Sequence, residues 1–135
     1  MTRKRIVIAD IHPDMREGAL SLLQDMFDVI FMVANEESLK EAVDRVQPDL
    51  VIADLSMPIS SGGNVARLLK KLSPELRFII LSVHDEQTVI DECLKAGARG
   101  FVLKRTAAID LIPAVAAESR GDIFVSRPAA AGREI

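Results

Sequence analysis

Two acids, a hydroxyl and an amine each stand where an apolar run stops. Asp10 closes RIVIAD, Asp54 closes DLVIAD, Ser82 closes FIILS and Lys104 closes GFVLK. These types together suit phosphoryl chemistry. A carboxylate accepts a phosphoryl group when a divalent metal neutralises the phosphate and a cation holds another of its oxygens. A hydroxyl can hold a third. In that recipe Asp54 is the acceptor, Asp10 lies near the metal, Lys104 is the cation and Ser82 is the hydroxyl.

Such a set works only if the chain brings four strand ends to one edge. The apolar runs cover residues 5–10, 28–33, 49–54, 78–82 and 100–104. The first, third and fourth are nearly continuous in Ile, Val, Leu and Ala, without alternation. Strands of that kind lie in a sheet covered on both faces. The segments between them carry a helical period. Met15, Ala19, Leu22, Leu23 and Met26 share one face of the first, and Leu39, Ala42, Val43 and Val46 one face of the second, where Asn35 is placed as N-cap. Val65, Leu68, Leu69 and Leu72 mark the third; Ile90, Cys93 and Leu94 mark the fourth, which should stop at Gly97. Ala108, Ile112, Val115 and Ala116 mark the fifth, with Thr106 as its cap. Pro113 falls inside that segment, where a proline costs about 3 kcal/mol, so the helix is either kinked there or begins its regular part there.

The pattern is (βα) repeated five times. It specifies an α/β fold: a single flavodoxin-like (βα)5 domain with a doubly wound parallel five-stranded sheet. In such sheets ligands bind at the carboxyl ends of the strands. That edge is where Asp10, Asp54, Ser82 and Lys104 should converge.

The gross numbers suit this fold. The chain has 135 residues, and an apolar share of 49% supplies a core and excludes disorder. Its net charge of −3 comes with no basic stripe, so direct nucleic-acid binding by this chain is not expected. A single cysteine rules out an internal disulfide and a cysteine metal site, and suits a reducing, cytoplasmic setting. No apolar run approaches the roughly 20 residues of a membrane span, and the N-terminus does not read as a signal peptide. A stand-alone enzyme is disfavoured, since no Gly-rich phosphate loop follows the first strand and no nucleophile elbow is present. Residues 1–121 read as the domain and 122–135 as a linker or tail. GDIFVS (121–126) could pack on the body as a short extended piece. Arg127 and Arg133 read as solvated charges.

The motifs in combination resemble the receiver domain of two-component response regulators, over about residues 4–120. They are VIADLSMP with Asp54 and Pro58, Gly62 after it, ILS ending at Ser82, and KAGARGFVLK ending at Lys104. HPDMREGAL and LSVHDE are most similar to receivers of the NarL/FixJ type. The resemblance implies that Asp54 takes a phosphoryl group from a histidine kinase and that Lys104 contacts the phosphate. It implies that Ser82 reorients on phosphorylation with Phe101 as aromatic switch, and that Ser56 lends a backbone carbonyl to Mg²⁺ beside Asp10 and Asp54. The face of the fourth helix, fifth strand and fifth helix would then control homodimerisation or a C-terminal helix-turn-helix output domain that binds DNA and regulates transcription. Catalysis would be limited to self-phosphorylation and self-dephosphorylation. No membrane partner is implied.

One position departs from the pattern. The family carries a pair of acids at the end of the first strand, and Ile11 stands where the second is expected. Mg²⁺ demands oxygen ligands, and isoleucine offers none. Weaker metal binding and slower phosphoryl transfer are expected, with Asp10 acting through water. A second reading follows from the same residue: an atypical, phosphorylation-independent receiver acting as a protein–protein interaction module. Asp14 is a poorer ligand candidate, on the first helical turn. His84 reads as a loop histidine and Cys93 as core.

Overall fold

The computed structural model describes residues 4–60 and 62–127. The elements run β1 (Arg5–Ala9), α1 (Pro13–Leu23), β2 (Val29–Val33), α2 (Glu36–Val46), β3 (Leu50–Asp54), α3 (Val65–Leu72), β4 (Phe78–Ser82), α4 (Gln87–Lys95), β5 (Gly100–Leu103), α5 (Ala107–Ser119) and β6 (Phe124–Val125). All strand pairs are parallel, and the order across the sheet is β2-β1-β3-β4-β5-β6. The sheet therefore has six strands, not the five expected. The extra one is the short FV pair, which β5 holds in register Gly100↔Phe124 and Phe101↔Val125. Gly100 leaves room at that join: a Cβ there would meet an Ile79 side-chain carbon at 3.1 Å and the Phe124 carbonyl at 3.4 Å, so these neighbours would have to give by a few tenths of an ångström.

The unbroken apolar runs are explained by two cores. Val7, Ala9, Val51, Ala53, Phe78, Ile80, Phe101 and Leu103 face α2, α3 and α4. Ile6, Ile8, Leu50, Ile52, Ile79, Leu81 and Val102 face α1 and α5. Successive strand residues point to opposite faces, so a strand buried on both must be apolar throughout. Each Val, Leu, Ile or Phe among them contributes about 1.5–3 kcal/mol by leaving water.

Local chemistry sets the helix ends. Asn35 caps α2 by accepting from the Ser38 N–H at 2.8 Å, while the Ser38 hydroxyl oxygen accepts from the Asn35 N–H. Asn64 does the same for α3 through the Arg67 N–H. Gly97, at φ +112°, terminates α4 in the left-handed region. Three expectations need correction. Met26 lies beyond the end of α1 and is exposed. The buried side of α5 is Ala107, Leu111, Ala114 and Val115, whereas Ile112 is exposed and Ala108 lies on the open side. Thr106 precedes α5 without capping it; its hydroxyl bonds the Leu103 carbonyl and Asp110. Pro113 sits inside a helix that runs continuously from Ala107 to Ser119. The carbonyl deprived of its N–H partner belongs to Ile109, on the solvent side, where water can serve it.

Candidate functional site

The carboxyl ends of β1 and β3 lie side by side, with Ala9 opposite Ala53. That register sets Asp10 and Asp54 next to each other, and both side chains are buried. Lys104 follows β5 and reaches over the end of β4 to them. Its Nζ lies 3.0 Å from Asp10 Oδ2 and 3.1 Å from Asp54 Oδ2. It donates a hydrogen bond to Asp10 Oδ1 at 3.2 Å. The contact with Asp10 Oδ2 is ionic only, and among the described residues no donor is aligned with that oxygen.

Asp54 is held from its other side. Its Oδ1 accepts from the Ser56 N–H at 2.9 Å and the Ser56 hydroxyl at 2.7 Å. Burial pushes the Asp54 carboxyl up. The two Ser56 hydrogen bonds and the Lys104 ammonium outweigh it, and the net effect holds the group below its ordinary value. Asp54 is thus an ionised, fixed, partly neutralised carboxylate at the centre of the sheet edge. Arg16 anchors the first strand's end by donating from Nη1 to the Asp10 carbonyl at 2.7 Å.

The edge does not gather every expected residue. Ser82 is buried at the end of β4, but its hydroxyl accepts from the His84 N–H at 2.8 Å and donates to the His84 carbonyl at 3.1 Å. It is turned into its own loop rather than onto Asp54. Phe101 is fully buried in the core beneath α4. Ile11 presents a partly exposed apolar side chain, and only its N–H approaches the site, 3.5 Å from Asp54 Oδ2. Asp14 lies in the first turn of α1. His84 stands in the loop after β4, 3.6 Å from Glu86. Cys93 is buried, and burial, helped by the charge of Glu92, pushes its thiol up to about 11.

One site residue escaped the sequence reading. His12 places Nδ1 3.2 Å from Asp10 Oδ1, 3.3 Å from Lys104 Nζ and 3.9 Å from Asp54 Oδ2. Its N–H also donates to Asp10 Oδ1 at 2.8 Å. His12 occupies the N-cap of α1 but makes no capping bond with its side chain. Pro13 keeps it extended, and in extended chain residues two apart face the same way. A histidine two after the strand-end acid was the legible signal.

The resemblance to receiver domains implies Mg²⁺ held through acidic residues. The donors here fit a divalent cation: Asp10, His12 and Asp54 each offer one atom, all within 4.8 Å of one another. Among the described residues, Asp10 Oδ2 is buried with no aligned donor, and it faces a positive charge, the Lys104 ammonium at 3.0 Å. The difference from an all-oxygen set is the imidazole nitrogen.

Residues 6–116 match the family model described as response regulator receiver domain. The chain is 34% identical over 124 residues to the oxygen regulatory protein NreC of Staphylococcus carnosus, covering 90% of this chain and 57% of that protein. It is 32% identical over 123 residues to the transcriptional regulatory protein DegU of Brevibacillus brevis, covering 90% and 52%. The chain thus spans about half the length of the curated relatives it matches. The isolated REC domain of RcsB from Salmonella enterica serovar Typhimurium, solved with the phosphomimetic BeF3−, superposes with a TM-score of 0.84 at 26% identity, covering 98% of both chains. With the family model spanning most of its length, the chain belongs to the response regulator receiver domains, of the type found in NarL-like regulators.

Proposed function

We propose that Asp54 accepts a phosphoryl group from a histidine kinase, and that the protein works as a switch controlling dimerisation or a DNA-binding output domain. The observation that carries this is the pairing of a buried, ionised Asp54 with Lys104 at 3.1 Å on the sheet's carboxyl edge. When bound, Mg²⁺ would lie against Asp10, Asp54 and the Ser56 carbonyl and neutralise charge on the incoming phosphoryl group. The chain's own residues do the rest. Ser56 fixes the Asp54 carboxylate so that its attack on phosphorus needs no reorientation. Lys104, displaced from the two carboxylates, would follow the phosphoryl oxygens as a point charge. Ser82 would exchange its His84 bonds for a phosphoryl oxygen, and Phe101, two residue pairs back along β5, would repack. The α4–β5–α5 face would then favour a second arrangement. The regulatory names of DegU and NreC support a transcriptional output.

A second reading is favoured by Ile11 and by the ammonium already seated between the acids. In it, the domain binds partners without being phosphorylated. Intact-mass analysis after incubation with acetyl phosphate separates the two. A single added phosphoryl group that requires Mg²⁺ and is absent from Asp54→Ala supports the switch. No adduct with or without Mg²⁺ supports the binding module.

A further inference from the structure

We infer that His12 is a metal ligand, and that the site prefers a borderline transition-metal ion such as Co²⁺, Ni²⁺ or Zn²⁺ over Mg²⁺. The inference rests on the reading of Asp54 and Asp10 as the metal-binding acids, and it names the third side-chain ligand that Ile11 cannot be.

The argument starts from a conflict at one nitrogen. Lys104 Nζ, at 3.3 Å, can only donate, so that contact needs a lone pair on His12 Nδ1. Asp10 Oδ1, at 3.2 Å, is an acceptor, so that contact needs a proton on the same nitrogen. The tautomer that satisfies one neighbour opposes the other. A metal ion removes the conflict, because it is attracted by the Nδ1 lone pair, by Asp10 and by Asp54 at once. Those donor atoms already lie within 4.8 Å of one another.

Two further observations point to a cation. Asp10 is fully buried, yet among the described residues its Oδ2 has only the ionic contact of Lys104 at 3.0 Å and no aligned donor. Two carboxylates also face a single ammonium at the centre of the cluster. The His12 side chain makes no cap bond and is exposed, and its Nδ1 has only the two opposed contacts, at 3.2 and 3.3 Å, that a metal ion would replace. It is anchored through its N–H on Asp10, which keeps the ring at the site.

Ligand type then selects the ion. Mg²⁺ takes oxygen ligands and sheds water reluctantly. Imidazole suits Zn²⁺ and Ni²⁺, and affinity for a given nitrogen and oxygen site rises across the first row from Mn²⁺ to Cu²⁺. An Asp-His-Asp set with one edge open would hold such an ion and leave positions for water or phosphoryl oxygen. Lys104 must move aside, which makes it a competitor for the same carboxylates.

The test is calorimetric titration of the full chain with CoCl2 and with MgCl2, beside NMR of the imidazole protons. The chain has two histidines, so their signals are readily assigned. The expected result is tighter binding of Co²⁺ than Mg²⁺, with paramagnetic shifts on the His12 ring. His12→Ala should lose on the order of 10-fold or more in Co²⁺ affinity, with little change for Mg²⁺. His84→Ala should change neither. Ile11→Asp combined with His12→Ala should bind Mg²⁺ without a Co²⁺ preference of wild-type size. An unchanged Co²⁺ preference in His12→Ala, or none in the wild type, overturns the inference. If the preference is missing while Mg²⁺ still supports an Asp54-dependent adduct, the inference fails and the phosphoryl switch stands. If no divalent ion binds and no adduct forms, both fall.

Discussion

Lys104 holds Asp54 at 3.1 Å from across the end of β4. The same ammonium reaches Asp10 at 3.0 Å, so it is the cation that lets two buried acids share one edge. Removing it should be costly. Lys104→Met is expected to lose about 3 kcal/mol or more, because the carboxylates stay buried without a counter-charge. Urea unfolding measures this directly, and added divalent metal should restore part of the loss. A variant as stable as wild type, with no response to metal, would show that Lys104 does not neutralise the pair.

The lowered Asp54 pKa fixes the sign of a pH effect. Asp54 binds its proton less readily folded than unfolded, so its contribution is complete above the unfolded value of 3.8 and fades as pH falls through the lower folded value. The stability difference between wild type and Asp54→Asn should be flat from neutral pH down to about 4 and change only below it. A change centred near neutrality would contradict the assignment.

Ile11→Asp should tighten Mg²⁺ binding and speed the gain of a phosphoryl group from acetyl phosphate. The added carboxylate supplies the oxygen that Ile11 lacks. Equal Mg²⁺ affinity and equal rates in the two proteins would remove Ile11 from the account.

The sixth strand ends in a buried hydroxyl. Ser126 Oγ accepts from the Leu103 N–H at 3.1 Å and donates to Asp110 at 2.6 Å, next to the site lysine. Ser126→Ala leaves the Leu103 N–H without that acceptor and takes one of Asp110's two hydroxyl donors, Thr106 keeping the other, and should cost about 1–3 kcal/mol, with faster amide exchange at Leu103. Unaltered exchange at that amide would mean the hydroxyl does not hold the strand.

Cys93 should resist thiol reagents. Burial raises its pKa to about 11, so almost no thiolate exists at neutral pH and none of it faces water. Labelling of the folded protein should be slow and track global unfolding in urea. Rapid labelling under native conditions would show that the α4 face opens locally.

Much of this was legible in the sequence because burial on two faces writes itself as unbroken apolar runs. Asp10, Asp54 and Lys104 could be placed together because parallel strands deliver their carboxyl ends to one edge. What stayed hidden depends on side-chain direction and on short pairings. Residues 121–126 were expected as a short extended piece on the body, which they supply, but their pairing with β5 as a sixth strand was not legible, because two residues are too short for any period to show. The α5 face was misjudged because alanine is common on both sides of that helix, and Ile109 and Ile112 sit on the open one. Ser82 ends β4 as expected, but its rotamer serves His84, which spacing cannot reveal. His12 stayed hidden because an apolar residue, Ile11, separates it from Asp10, although in extended chain a residue two after Asp10 shares its side. Residues 128–135, including Arg133, lie outside the described residues.

The most direct measurement locates the phosphoryl group. The protein is incubated with acetyl phosphate and Mg²⁺, reduced with borohydride, which converts an acyl phosphate to the alcohol, digested, and sequenced by tandem mass spectrometry. The expected result is homoserine at position 54 and at no other acid. Modification at Asp10 or another carboxylate, or none under conditions where metal is bound, would contradict the assignment of Asp54 as acceptor.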